Sequence, residues 1–153
     1  MNDKELLIQA IEQSRESVRQ GGFPAGTVIV KDGKVIAKGI SIGNILHDPT
    51  SHGEVNSIRE ACKNINSSSL EGATIYSSLE PCMMCLAASM WAMVTKIVYA
   101  CGKSKVSTLY YGGNYKSIDL NNFLLKQIEI VQLSELENVS LEIISEWEKN
   151  LPK

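Results

Sequence analysis

The stretch P-C-M-M-C, Pro81 to Cys85, sets two thiols three residues apart directly behind a proline. Such a pair serves redox exchange, a structural metal, a catalytic metal or packing alone. At i and i+3 in the first turn of a helix the two side chains point the same way, and the positive helix end favours their thiolates. Cys82 and Cys85 therefore offer two ligands to one ion. His52, one of two histidines in the chain, stands upstream at the expected start of another helix and offers a third. A Cys/Cys/His set leaves the fourth position of a tetrahedral zinc open to water, which is the catalytic pattern. Glu54 comes two residues after His52, near enough to project into the same cavity without binding the metal. Metal binding lowers the pKa of water from ~15.7 toward about 7. A carboxylate beside it can take that proton and redeliver it to a leaving group.

The competing uses fit less of the chain. A redox pair on a βα unit leaves the H-x-E at 52–54 without a purpose. A structural zinc wants a fourth Cys or His. Cys62 and Cys101 are at hand, but each sits within an apolar pattern and reads as a core residue. His47 reads as a loop histidine.

Alternating elements must position these residues. Residues 3–19 carry Leu6, Leu7, Ala10, Ile11 and Val18 at helical spacing, with Asp3 as N-cap and Gly21-Gly22 as the stop. T-V-I-V-K (27–31), a D-G turn and K-V-I-A-K-G-I (34–40) predict an antiparallel hairpin. A loop over 41–50 leads to a helix whose first turn holds His52 and Glu54, and whose Val55, Ile58, Ala61, Cys62 and Ile65 share a face. A-T-I-Y-S (73–77) predicts a buried strand, and 82–94 a helix entered behind Pro81. Further along, 96–100 reads as a strand, 118–126 as a short helix, 127–133 as a last strand and 134–149 as a closing helix. The alternation predicts an α/β fold, a three-layer α/β/α sandwich with a central mixed five-stranded sheet. One domain over 1–153 is expected for a chain of this length.

With 44% hydrophobic and 21% charged residues, the composition is that of a globular domain. A net charge of −2 gives no global basic footprint of the kind that drives phosphate-backbone binding. No run of eighteen apolar residues occurs, and the first ten residues lack the pattern of a secretory signal. The expectation is a cytoplasmic protein without a membrane partner, its four cysteines reduced.

H-G-E at 52–54 together with P-C-M-M-C at 81–85 resembles the H-x-E and P-C-x-x-C signature of the zinc-dependent cytidine deaminase-like superfamily. The paired match is specific and the resemblance runs from about Gly22 to Ala100. F-P-A-G-T (23–27) is similar to the family segment that enters the first strand. H-D-P-T-S-H-G-E and S-L-E-P-C-M-M-C resemble the branch of guanine, cytosine and tRNA adenosine deaminases. The resemblance implies hydrolytic removal of an exocyclic ring amine as ammonia, by zinc-bound hydroxide. It implies one zinc ion held by His52, Cys82 and Cys85, with Glu54 carrying the proton from water to a ring nitrogen and then to the departing amine. Backbone groups near Gly53 and Cys82 would hold the ring or the hydroxide, and Ala25 lies in the segment expected at the substrate. Relatives in this branch carry an Asn eleven residues before the zinc histidine, where it bonds the base. Here that position is Ser41, and Asn44 stands three residues later. Either side chain is a candidate for the contact.

A free base or nucleoside is the expected substrate, guanine ahead of cytosine, because Leu86 and Trp91 after the cysteines resemble guanine deaminases. Trp91 reads equally as a core or subunit-contact residue. A tRNA adenosine deaminase is the alternative, opposed by the run of glutamates at 135, 137, 142, 146 and 148, which repels phosphate. A non-catalytic zinc scaffold is the second alternative, and Glu54 speaks against it. T-L-Y-Y-G-G-N-Y (108–115) and Trp147 are candidates to cap the pocket. A homodimer is expected, with Met83, Met84, Met90, Trp91 and Met93 suited to its contact.

Overall fold

The computed structural model describes residues 1–152. Helix α1 (Asp3–Arg19) is capped by Asn2 rather than Asp3. The Asn2 side chain accepts from the Glu5 N–H at 2.9 Å, and Glu5 returns the bond at 3.0 Å, which completes a capping box. Asp3 is thereby free to accept from the Tyr76 hydroxyl, 2.7 Å away, tying the helix start to the sheet. The hairpin comes next as β1 (Phe23–Lys31) and β2 (Lys34–Ser41). Its turn residues Asp32 and Gly33 have φ of 52° and 73°, the left-handed pair that a tight hairpin with right-handed strand twist requires. Strand β1 begins four residues before the expected start, at Phe23.

The remaining elements are α2 (Gly43–Leu46), α3 (Gly53–Ile65), β3 (Thr74–Leu79), α4 (Met83–Trp91), β4 (Lys96–Cys101), α5 (Ser117–Asn121), β5 (Glu129–Gln132) and α6 (Glu137–Lys149). They form one five-stranded mixed sheet in the order β2-β1-β3-β4-β5. β1 is antiparallel to β2 and β3, while β3, β4 and β5 are parallel. Successive strand residues serve opposite faces. Val28, Tyr76 and Val98 pack under α1 with Leu7 and Ile11, where Leu136 and Ile143 join them. Ile29, Ile75 and Ile97 pack on the other face with Ala61 of α3 and Leu86 of α4. Two helical layers around a mixed sheet match the expected sandwich, and Cys62 and Cys101 take the core positions read for them.

Helix α5 is shorter than the expected 118–126. The buried Asn121 ends it by bonding both the N–H and the carbonyl of Ile128, at 3.0 and 2.8 Å, which turns the chain into β5. Phe123 and Leu125, read as helical, are left exposed beyond it. Among the described residues no helix is long and apolar enough to cross a membrane.

Candidate metal centre and substrate cavity

His52 and Cys82 are the N-cap residues of α3 and α4, both with extended backbone and neither making a side-chain cap bond. Ser, Thr, Asp or Asn are the usual choices there. A histidine and a cysteine leave helix-end N–H groups unclaimed by the cap and turn their own donor atoms outward. Packing fixes the start of α3. The Thr27 hydroxyl donates to the Gly53 carbonyl at 2.8 Å and lies 2.9 Å from the Ser57 hydroxyl, which donates to the Glu54 carbonyl. Gly39 in β2 faces the same carbonyl, and any Cβ there would run into it. Only a glycine lets the helix approach so closely.

His52 Nδ1 lies 3.6 Å from Cys82 Sγ and 3.5 Å from Cys85 Sγ. All three donor atoms fall within 4.8 Å of one another. Tetrahedral zinc with bonds of ~2.3 Å to sulfur and ~2.0–2.1 Å to nitrogen separates N and S by ~3.5 Å. Both nitrogen–sulfur separations therefore fit zinc. Cys82 is held as a thiolate, its pKa lowered to about 4 by the Cys85 thiol and, against burial, by His52. Cys85 is raised for the converse reason, sharing its proton with Cys82 in a buried place beside Glu54. The hydrogen bond to Cys82 raises His52. A thiolate, a thiol and an imidazole at these distances are a set from which a metal displaces protons.

Glu54 is buried at 5% exposure, and its Oε1 accepts from the Ser77 hydroxyl at 2.7 Å. Burial, followed by the Cys82 thiolate, raises its pKa, and the Ser77 bond opposes the shift. A carboxyl so placed exchanges protons nearer neutrality than a solvated one. Ser77 was not among the residues expected at the site. In the sequence it is only the first of two serines, Ser77-Ser78, before the Leu79 that ends the strand, with no neighbour that marks a role.

A cavity of about 490 Å³ opens onto this corner. His52, Glu54 and Cys82 line it, together with Ala25, Ser41 and Asn44. Ser41 is buried, and its hydroxyl has no hydrogen-bond partner among the described residues. The Asn44 amide donates to the Gly21 carbonyl at 2.8 Å. Gly53 lies behind the cavity wall against Thr27 and does not line it. Trp91 is not brought to the cavity at all: it ends α4 with 79% of its surface exposed. The aromatic residues that line the cavity are Tyr111 together with Phe23, Tyr110 and Trp147, the last three in mutual edge-on ring contacts of 5.0 to 6.2 Å. Phe23 opens the F-P-A-G-T segment, but nothing in that segment singles its ring out as a cavity wall. Asp48 and Glu80 add carboxylates, and no Lys or Arg lines the cavity among the described residues.

Comparison with known proteins agrees with this corner. The cytidine and deoxycytidylate deaminase zinc-binding region matches residues 1–101. The chain is 39% identical over 122 residues to the guanine deaminase of Bacillus subtilis (strain 168), covering 78% of each. It is 35% identical over 100 residues to the tRNA-specific adenosine deaminase of Aquifex aeolicus (strain VF5), covering 65% of this chain and 66% of that one. A solved structure from studies of A-to-I editing by tRNA:A34 deaminases superposes with a TM-score of 0.80 at 28% identity, over 92% of this chain and 99% of that one. With residues 1–101 matched and the His52, Cys82 and Cys85 group that could hold a metal among them, the chain belongs to the cytidine and deoxycytidylate deaminase family and is a zinc-dependent hydrolytic deaminase.

Proposed function

We propose that this deaminase acts on a free nucleobase or nucleoside, guanine ahead of cytosine. The observation that carries this reading is the cavity lining: the four aromatic side chains of Phe23, Tyr110, Tyr111 and Trp147, the carboxylates of Asp48, Glu54 and Glu80, and no Lys or Arg among the described residues. Such walls accept a neutral, flat ring and offer nothing to a phosphate. Its volume of about 490 Å³ lies within the ~300–1,000 Å³ range of small-molecule sites. The 39% identity to a guanine deaminase points the same way.

His52, Cys82 and Cys85 hold zinc, which when bound supplies the Lewis acidity that makes water nucleophilic near neutral pH. Glu54 moves the protons. Its carboxylate takes one from the attacking water as the water oxygen bonds to the ring carbon, and passes it to the adjacent ring nitrogen. The second proton goes by the same route to the amine, the C–N bond breaks, and ammonia leaves with a carbonyl in its place. Ser77 holds Oε1, so the carboxylate does not rotate away between transfers. Ser41 is the better placed of the two polar candidates for the base edge, because its hydroxyl is uncommitted while the Asn44 amide already holds the loop to Gly21.

A second reading, adenosine in tRNA, is favoured by the likeness to tRNA deaminases at 35% and 28% identity. Against it stands α6, which carries Trp147 to the cavity among Glu142, Glu146 and Glu148. Ammonia release should be assayed across guanine, cytosine, adenine, their nucleosides and an anticodon stem-loop RNA. Turnover of a free purine without turnover of the RNA is expected; turnover of the RNA alone would reverse the ranking.

The same reading includes a homodimer. Helices α4 and α5 pack side by side, and Met83, Trp91, Ile118, Phe123 and Leu125 are exposed on or just beyond them. Apolar groups gathered in this way mark contact surfaces. Light scattering on the purified chain should give twice 16.8 kDa, and a monomer at micromolar concentration would remove this part of the proposal.

A further inference from the structure

The tyrosine-rich segment after β4 touches the metal corner without entering it. Four residues, Glu80 to Met83, carry the chain from β3 into α4, and three of them are tied to β4 and the segment beyond it. Glu80 donates its N–H to the Cys101 carbonyl at 2.8 Å. Its carbonyl accepts from the Tyr111 hydroxyl at 2.7 Å, and its carboxylate accepts from the Lys103 N–H at 3.2 Å. The Pro81 carbonyl accepts from Ser117 Oγ at 3.0 Å. The Met83 N–H donates to the Tyr115 hydroxyl at 2.9 Å. Cys82 alone makes no bond to the segment, and its thiol faces His52.

The segment is in turn pinned by Lys103. This side chain is buried at 9% exposure, with its Nζ 4.5 Å from the Tyr115 ring centre and 5.2 Å from that of Tyr111. Its single hydrogen bond is to the Gly113 carbonyl at 3.4 Å. No carboxylate among the described residues lies within 4.0 Å of it. A desolvated cation over two aromatic faces fixes both rings, since cation–π attraction strengthens as water is removed. The two hydroxyls fixed in this way are those that bond Glu80 and Met83.

We propose that Lys103 and Tyr115 are positioning residues for the zinc cysteines. The Met83 N–H is one of the unsatisfied donors at the start of α4 and directly adjoins Cys82 in the chain. The Tyr115 hydroxyl holds that N–H, and with it the first turn of α4, in register with His52, so the Cys82 sulfur keeps its place in the ligand set; loosened, the sulfur overlaps a bound metal less. Outer partners of metal ligands set affinity in this manner, and their loss costs ~10–100-fold.

This inference rests on the zinc corner and not on the identity of the substrate, so it is tested without substrate. The cobalt-substituted protein reports sulfur-to-metal charge transfer, and a chromogenic chelator reports the rate of metal loss. In Tyr115→Phe the charge-transfer band should move to higher energy and metal loss should quicken by about 10-fold. Lys103→Met should behave likewise, and Lys103→Arg, which keeps a cation over the rings, should restore both readouts to near the original values. A lowered Tm with an unmoved band and an unchanged rate of metal loss in the folded protein would reduce the segment to a fold-stabilising loop and overturn the proposal. Should Lys103→Met fail to fold, Tyr115→Phe, which deletes one oxygen atom, decides the matter alone.

Discussion

The metal side of the cavity and its aromatic side draw on the chain in different ways. His52 and Glu54 lie in one short run, Cys82 and Cys85 in another, and each run begins a helix that the sheet holds in place. Phe23, Tyr110 and Trp147 come from the start of a strand, a short 3₁₀ turn and the last helix, and meet only through their edges. Metal ligands must be set to a few tenths of an ångström, which short rigid helix starts achieve. A stacking wall tolerates looser assembly, because any flat ring presents a face. The family match ends at residue 101, so it contains the metal side and leaves Tyr110 and Trp147 outside. On the proposed reading, relatives share the chemistry through the matched part and differ in substrate through the rest.

This contrast makes distinct demands on kinetics. The largest effect belongs to Glu54→Gln. It removes the proton carrier but none of the three ligands, so zinc content measured by atomic absorption should be unchanged while kcat falls by roughly 10²–10⁴-fold. Undiminished ammonia release would sink the proposed role of Glu54. A smaller effect, of another kind, belongs to Trp147→Ala. Loss of one stacking face should raise KM by roughly 5-fold or more and leave kcat nearly unchanged. If that variant lowered kcat and kcat/KM equally, the aromatic side would be acting in the transition state, and the division between the two walls would fail.

Legibility obeyed the same division. The ligand set, its spacing and the neighbouring carboxylate were readable because each lies in a local run, and helix geometry converts i and i+3 into a shared direction. The hairpin was readable through Asp32-Gly33, whose turn chemistry is local. The helix expected over 118–126 stops early, since nothing nearby in sequence announces that Asn121 will bond the Ile128 backbone across a turn. The family resemblance made both Trp91 and Trp147 candidates for an aromatic contact. Only the placement of α6 against the start of β1 separates the half-buried Trp147 at the cavity from the exposed Trp91. Ser77 is the sharper omission: a serine in a buried strand has no meaning until the opposing helix delivers Glu54 to it.

By itself, the sequence determined the sandwich and the His52, Cys82 and Cys85 set that could hold a metal, because periodicity, turn residues and helix-start spacing act over a few residues. The tertiary structure decided which aromatic rings face the cavity, that Ser41 is uncommitted where Asn44 is not, and that Lys103 lies over two tyrosines whose hydroxyls bond Glu80 and Met83 on either side of Cys82. Those facts depend on contacts between segments far apart in the chain, and such contacts exist only once the sheet has set the distances between them.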